Sequence, residues 1–411
     1  MRLLKIVFAV VIMYLYIYSP ALQILSFGLD KIIFVLSIGF ILFNKDCLKY
    51  LALFKRDYRL LSVILLFSLL NILIHFGEYG SGLLMYDFFL LIEPIPVACS
   101  LYMLMELKWK VEIREVIYIT AGVAGLITVL LLLNPSMLAY VKNSVLRVPE
   151  VLTTYFSFRG IGLADGLLNP YPTAQGLILG LLLCGFFKQK IYYYVLAIPI
   201  FVSIIVNART GVVPVILGLI LLLIFGVNYT KKKNLVGGII VMSAVLLIVI
   251  NKVTLSTEAE ESLEWGKTTL DIMEGLIKGE DVDNVEALTQ TMVFYPETIG
   301  GWLFGGGYSV YSGNTVIGKS SDIGYIIRLH YGGIIYLLIL VGVIIGMCKR
   351  LYKINKPIAI LMFLSFLIFN YKTDFFIMSP CSRLFFLVYV ILVCSQYDSQ
   401  KSLNVNINYS N

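Results

Sequence analysis

The chain has 411 residues, of which 59% are hydrophobic and only 14% are charged, and its mean hydropathy is +0.89. A soluble protein of this length needs far more polar surface, so the composition excludes a soluble fold and indicates a polytopic membrane protein. The six cysteines are scattered without a CxxC pair, which indicates neither a metal site nor a disulfide framework.

Apolar stretches recur along the whole chain. A spanning helix needs about 20 mainly apolar residues, and about twelve stretches approach that length. They are 6–20, 28–43, 60–76, 83–105, 116–133, 173–187, 191–206, 212–227, 235–250, 323–347, 358–370 and 379–396. The sequence therefore predicts an all-α protein with about twelve transmembrane helices in a single membrane domain, residues 1–411.

The net charge of +7 is best explained by membrane orientation. One alternating set of loops holds 20 Lys or Arg in 67 residues, whereas the opposite set is about twice as long and holds nine. By the positive-inside rule the basic set is cytoplasmic, and both termini belong to it. The positive charge therefore predicts topology and gives no reason to expect a nucleic-acid partner. The other set defines what we call the predicted outer end.

Two loops at the predicted outer end are long, residues 134–172 and 251–322. The second carries twelve acidic residues against four lysines, and apolar residues recur in it at helical spacing between 263 and 277. This spacing predicts one or two amphipathic helices on the outer surface. Long loops in compact folds are usually functional or disordered, and the periodicity argues against disorder.

Two arginines stand beside predicted helix ends on that side. Arg159 opens the sequence RGIGLADGLLNP, and Arg209 lies in NARTG, a turn so short that its flanking segments must form an antiparallel hairpin. A guanidinium presents a planar fork of donors suited to phosphate oxygens, so both residues are candidates for binding a lipid-linked diphosphate. The alternative is that each anchors the protein to lipid headgroups.

The glycine-rich stretch 300–346 carries three further candidates. Asp322 precedes the tenth segment and is either a helix cap or a general base that takes a proton from a sugar hydroxyl. Arg328 and His330 lie inside that segment, where ionisable residues are costly and usually functional. Arg328 is predicted to pair with Glu93 or Asp374. The sequence GNTVIGKS, 313–320, matches the phosphate-loop pattern, but it lacks the preceding strand and the soluble helix that an ATP site needs.

With these residues placed, the chain resembles the Wzy-type polysaccharide polymerases of the O-antigen ligase and polymerase superfamily. The resemblance covers most of the chain. It rests on the segment count, the basic cytoplasmic side, the two long outer loops and four short sequences in order: RGIGLADGLLNP, NARTG, LFGGGYS and SDIGYIIRLHYGGIIYLL.

The resemblance implies a glycosyltransferase C-like membrane fold and a metal-independent enzyme without a cofactor, in the bacterial cytoplasmic membrane. Such enzymes move a growing glycan from a polyprenyl (undecaprenyl) diphosphate carrier to an incoming lipid-linked repeat unit, in O-antigen or capsule synthesis. Membrane lipid, a chain-length regulator and a flippase are the implied partners. By matching position, Arg159 and Arg209 stabilise the departing diphosphate, and Asp322 is the candidate base.

Four other residues complete the predicted site. The second outer loop sums to about minus eight and repels a diphosphate, so Arg147 and Arg328 join the substrate-binding set, together with Asp165 and His330. The chain departs from family patterns, because neither long loop has an Arg followed eleven positions later by Gly. It also carries Asp322 where ligase-like relatives tend to have His, which favours polymerase over ligase.

Three other functions stay open at this stage. Glu93 precedes Pro94 and Pro96 inside the fourth segment, where proline bends or breaks a helix, and an acid there suits a proton path in a secondary transporter or a lipid-linked oligosaccharide flippase. An O-antigen ligase is a second alternative. The third is a non-catalytic scaffold that holds partners through its acidic loop, which leaves the arginines at outer helix ends unexplained.

Overall fold

The computed structural model describes residues 2–75, 82–147, 160–188, 190–225, 292–311, 319–377 and 379–409. Its α-helices are α1 (Arg2–Ile17), α2 (Leu29–Phe43), α3 (Lys45–Ala52), α4 (Lys55–Ile74), α5 (Gly82–Ile92), α6 (Pro94–Tyr102), α7 (Ile113–Leu133), α8 (Pro135–Tyr140), α9 (Pro170–Leu183), α10 (Ile191–Asn207), α11 (Val212–Phe225), α12 (Ile299–Phe304), α13 (Gly324–Ile354), α14 (Lys356–Lys372) and α15 (Pro380–Tyr409). Within these residues the only extended pairing is a single bridge between Leu22 and Leu146.

The predicted all-α class is confirmed for the described chain. Five helical stretches of the described chain are long and apolar enough to cross a membrane by length and composition: α4, α7, α13, Leu83–Trp109, which includes nearly all of α5 and all of α6, and Pro380–Ser402, which is part of α15. Every predicted segment coincides with a helix except 235–250, which lies outside the described residues. The structure is therefore consistent with a helical membrane protein. The total of twelve spans stays a prediction.

Loops assigned to the same side contact one another. At the predicted cytoplasmic end, Arg350 after the tenth segment forms a salt bridge with Asp57 at 3.2 Å. At the predicted outer end, the Arg147 N–H donates to the Ala21 carbonyl oxygen at 2.8 Å. Because contacts of this kind join loops within each alternating set, the described loops collect at two opposite ends of the helices. Which of the two ends is cytoplasmic stays a prediction from the positive-charge count.

Helix α9 lies at the centre of the bundle. All but the first of its 14 residues are buried, and it packs against α10, α11, α14 and α15. The tight turn predicted at NARTG is present as a 3₁₀ turn, Arg209–Gly211, between α10 and α11. A Cβ on Gly176 of α9 would stand 1.8 Å from the Gly211 carbonyl oxygen, so only glycine permits the backbone of α9 to approach this turn.

Helix α13 is broken at Gly333, which has the left-handed backbone angle φ 71°. The break exposes carbonyl groups to the glycine-rich sequence before it: the Gly306 N–H donates to the His330 oxygen at 2.7 Å, and the Gly307 N–H donates to the Tyr331 oxygen at 3.0 Å. A Cβ on Gly305 would lie 2.3 Å from that same Tyr331 oxygen. The triple glycine thus docks its backbone directly onto the interrupted helix, and this fixes the half-helix 324–332 that follows Asp322.

The predicted amphipathic helices at 263–277 lie outside the described residues. What is described of the second long loop is 292–311 and 319–322, including the short α12. That helix has no buried residue and exposes Ile299, Trp302, Leu303 and Phe304. In a membrane protein such a surface faces lipid or the membrane boundary.

Candidate active site at the predicted outer end

The first feature of the site is a clamp made by Asn207, the fully buried first residue of NARTG. Its Oδ1 accepts a hydrogen bond from the Ile161 N–H at 2.8 Å, and its Nδ2 donates to the Ile161 carbonyl oxygen at 2.9 Å. Ile161 belongs to the sequence RGIG, where Gly160 has φ 80° and Gly162 has φ 153°. Two sequences far apart in the chain are therefore held together by a pair of buried bonds.

Each side of the clamp lies two positions in sequence from a predicted catalytic arginine. Arg159 precedes Ile161 by two positions and lies outside the described residues; Arg209 follows Asn207 by two positions, and its backbone forms the 3₁₀ turn. Arg147, a third predicted ligand, is an exposed residue that donates to the carbonyl oxygens of Leu25 at 3.3 Å and Ser26 at 3.0 Å. These hydrogen bonds join two outer loops, so in this structure Arg147 stabilises the contact between them.

Asp322 lies in the loop just before α13 and is half-buried. It does not cap the helix: the N-cap position belongs to Ile323, and no side chain forms a cap bond there. Burial raises the pKa of the Asp322 carboxyl, and the positive charge of Lys372 opposes that rise. A carboxylate whose pKa is moved up toward neutrality is better suited to accept a proton during a reaction than an ordinary surface aspartate.

Tyr311 is influenced by the charges of three outer segments. Its side chain is 42% exposed, yet burial of its phenol and nearby negative charges raise its pKa to about 12. The carboxylates that act on it belong to Asp322, Asp374 and Asp165. Acids of the first long loop, the second long loop and the last outer turn therefore all act on the charge state of one tyrosine.

Asp165 is held in this region by its backbone, because its N–H donates to the Tyr18 carbonyl oxygen at 2.7 Å. Burial raises the pKa of its carboxyl, and the charge of Arg383 opposes the rise. Arg383 itself forms a salt bridge with Asp30 at 3.0 Å, and both side chains are buried. Of the predicted site residues, Asp165 and Asp322 are thus brought to the same region.

Arg328 occupies a buried network of its own. It is fully buried, its Nε donates to Asp374 Oδ2 at 2.6 Å, and an Nη1–H donates to Asp87 Oδ1 at 3.0 Å. Tyr336 also hydrogen-bonds to Asp87. Of the two predicted partners Asp374 is correct, whereas Glu93 bonds to Lys31 at 2.5 Å instead. The guanidinium is committed to two carboxylates of the protein, so the structure favours a structural role over the predicted contact with substrate.

His330 lies in a different place from Asp322. Its ring nitrogens stand 3.3 Å from the Tyr308 hydroxyl and 3.3 Å from the Phe294 carbonyl oxygen. The ring lines a cavity of about 670 Å³ that Asp322 does not line. The structure therefore separates two predicted site residues that lie only eight positions apart, because one stands before α13 and the other faces the triple-glycine sequence.

Three residues of this region were not predicted. Asp87 neutralises Arg328, Asn207 clamps the first loop, and Tyr311 lies among the acids. Asn207 is part of the NARTG sequence, so its turn was visible, but its long-range partner was not. Asp87 could have been identified from the sequence, because it is an acid in the middle of an apolar segment, and a buried charge in a membrane requires a partner.

Comparison of the chain with protein-family models, with curated proteins and with solved structures finds no match in any of the three. In the described residues, no group of three or more His, Cys, Asp or Glu side chains could hold a metal ion. The function is therefore argued from the geometry of the predicted outer end and from the sequence.

Proposed function

We propose that this chain is a membrane glycosyltransferase of the polysaccharide polymerase type, similar to the Wzy-type polymerases. It works at the outer face of a bacterial cytoplasmic membrane, with both termini in the cytoplasm. Its donor is a growing glycan on a polyprenyl diphosphate, and its acceptor is a lipid-linked oligosaccharide repeat. The product belongs to O-antigen or capsule.

The observation that carries the proposal is the position of Asp322, a half-buried acid just before α13 that does not cap the helix and whose charge, like those of Asp374 and Asp165, raises the pKa of Tyr311. A half-buried acid with a raised pKa is suited to a reaction that deprotonates a sugar hydroxyl. The acceptor hydroxyl oxygen forms a bond to the anomeric carbon of the donor glycan. The bond from that carbon to the diphosphate oxygen breaks, the diphosphate leaves, and Asp322 takes the hydroxyl proton.

The clamp between Asn207 and Ile161 supports the diphosphate half of the proposal. It ties RGIG to NARTG, and these are the sequences that carry Arg159 and Arg209. Their two guanidinium groups can donate several charge-assisted hydrogen bonds to the diphosphate. They would stabilise the negative charge that develops on the diphosphate as it leaves. Arg147 braces loops by bonding to backbone oxygens and is not given this role.

Reconstitution of the purified protein in liposomes tests the function. The lipid-linked repeat is supplied without nucleotide and with a chelator, and the glycan products are separated on a gel. A ladder of lengthened chains supports the polymerase. Arg159→Ala and Arg209→Ala are each expected to remove the ladder, whereas Arg147→Ala retains most of it. A ladder that both single substitutions leave unchanged would contradict the diphosphate assignment.

One observation favours a second function, a flippase or secondary transporter. Charged side chains form two buried networks between helices, Arg328 with Asp87 and Asp374, and Arg383 with Asp30 and the Lys31–Glu93 pair. Buried ion networks of this kind line proton or substrate paths in transporters. In the same liposomes, a repeat unit that crosses the bilayer without being lengthened would support this function instead.

A further inference from the structure

The cavity beside His330 is not explained by the proposed reaction. It has a volume of about 670 Å³, within the range of small-molecule and lipid-headgroup sites, and the acids around Tyr311 do not line it. Its walls come from the end of α4, the segment 294–306 and the start of α13. Besides His330 and two tyrosines, its ionisable side chains are those of His75, Glu297 and Lys319.

These three side chains, of His75, Glu297 and Lys319, have no hydrogen-bonding or ionic partner within the described residues. The Nζ of Lys319 lies over the Phe294 ring, 5.8 Å from the centroid. By contrast, Arg328 is already neutralised by carboxylates. The cavity thus has a cation and an anion available to a ligand.

The mouth of the cavity is apolar. Ile74 is 65% exposed and Phe304 is 50% exposed, and both line it. Ile74 ends α4, whose apolar window is only 28% buried, the least of the five candidate spans among the described residues. Tyr295 at the rim stacks on Trp302 at 5.2 Å, and such aromatic pairs are typical of the boundary between bilayer and water. A ligand of this cavity therefore reaches it from the membrane.

We propose that the cavity binds the headgroup of a zwitterionic aminophospholipid from the leaflet at the predicted outer end. The phosphate lies at Lys319 and His75, the ammonium group lies at Glu297, and the acyl chains run along the exposed apolar faces of α4 and α12. Charge decides between this ligand and a second polyprenyl diphosphate. One lysine balanced by one glutamate matches a headgroup of net charge zero, whereas a diphosphate calls for several cations.

The site is independent of the proposed glycosyl transfer. It lies next to the half-helix 324–332, since His330, Gly305 and Gly306 share its wall. A lipid held there contacts the elements that dock onto the break at Gly333.

Native mass spectrometry of the delipidated full-length protein tests the proposal. Phosphatidylethanolamine, phosphatidylglycerol and polyprenyl diphosphate are titrated separately and in competition. Wild-type protein is expected to retain phosphatidylethanolamine about tenfold better than phosphatidylglycerol, a difference of about 1.4 kcal/mol. Lys319→Gln is expected to lower the retention of phosphatidylethanolamine about tenfold. Glu297→Gln is expected to remove the preference for phosphatidylethanolamine over phosphatidylglycerol.

Lys142→Gln is the matched control, because Lys142 lies at the same end of the molecule but outside the cavity. It is expected to bind as wild type does. Thermal unfolding of each variant confirms that it is folded. The proposal is overturned if Lys319→Gln behaves as Lys142→Gln does, which would indicate annular lipid only. It is also overturned if polyprenyl diphosphate displaces phosphatidylethanolamine, which would make the cavity a second substrate site.

Discussion

Replacement of Asp322 by asparagine tests its proposed role as the general base. The substitution keeps the shape of the side chain and removes its capacity to take a proton. General-base catalysis typically contributes about a hundredfold to ten-thousandfold in rate. The initial rate of ladder formation in liposomes is therefore expected to fall by that factor, which corresponds to roughly 3 to 5 kcal/mol of transition-state stabilisation.

The pH dependence provides the sharper readout. The proposed base works as a carboxylate, so activity falls as the pH is lowered through its pKa, which burial raises. Lys372 is the cation that opposes this rise. Lys372→Gln is therefore expected to move the acid limb of the rate profile to higher pH, and Asp322→Asn to abolish that limb.

Stability serves as the control for this pair of variants. An acid whose pKa is raised in the folded state binds its proton more tightly there than in the unfolded chain, so it destabilises the fold progressively as the pH rises from its unfolded pKa to its folded pKa, and fully above the folded pKa. Asp322→Asn is therefore expected to leave the midpoint of thermal unfolding at neutral pH unchanged or slightly raised. A folded Asp322→Asn protein that lengthens chains at nearly the wild-type rate would refute the assignment of the base.

Three substitutions test the framework around the site, each measured as the free energy of unfolding in mixed detergent. Arg328→Ala leaves two buried carboxylates without their cation and is expected to cost about 3 to 5 kcal/mol; a cost below about 1 kcal/mol would contradict the network. Asn207→Ala leaves the buried N–H of Ile161 without an acceptor, whereas the Ile161 carbonyl oxygen keeps the Thr128 hydroxyl as a donor, and the expected cost is about 1 to 3 kcal/mol. Gly333→Ala is expected to destabilise by about 1 to 3 kcal/mol, because it places a Cβ at positive φ against the α12 backbone. Gly342→Ala in the same helix meets no atom within 4 Å, so it is the control expected to be neutral or stabilising.

The positions of the helices could be predicted because the signal is local. A run of apolar residues long enough to cross a bilayer can satisfy its backbone groups only as a helix, so its place in the chain follows from composition alone. The turn at NARTG was predictable for the same reason, since five residues between two apolar runs leave room for nothing longer. The break at Gly333 was not predicted, although two adjacent glycines stand there.

The partners of buried charges could not be predicted, because they depend on how helices pack. Arg328 had Glu93 and Asp374 as candidates from sequence, and geometry selects Asp374 together with Asp87. Asp87 and Glu93 lie six positions apart in the fourth segment, yet one pairs with α13 and the other with α2. A difference in rotation about the helix axis decides between them, and no property of either side chain specifies it.

The distribution of charge separates the framework from the groups proposed to act. Arg328 and Lys31 are matched by carboxylates at short distances, so moving them would leave charges unpaired in an apolar interior. A transporter that alternates between two states must exchange such partners, whereas an enzyme needs them fixed. Asp322 lies at the water boundary with only the charge of Lys372 to oppose its raised pKa. An interior held by paired charges, with Asp322 opposed only by Lys372 at one end, is more consistent with the proposed polymerase than with a transporter.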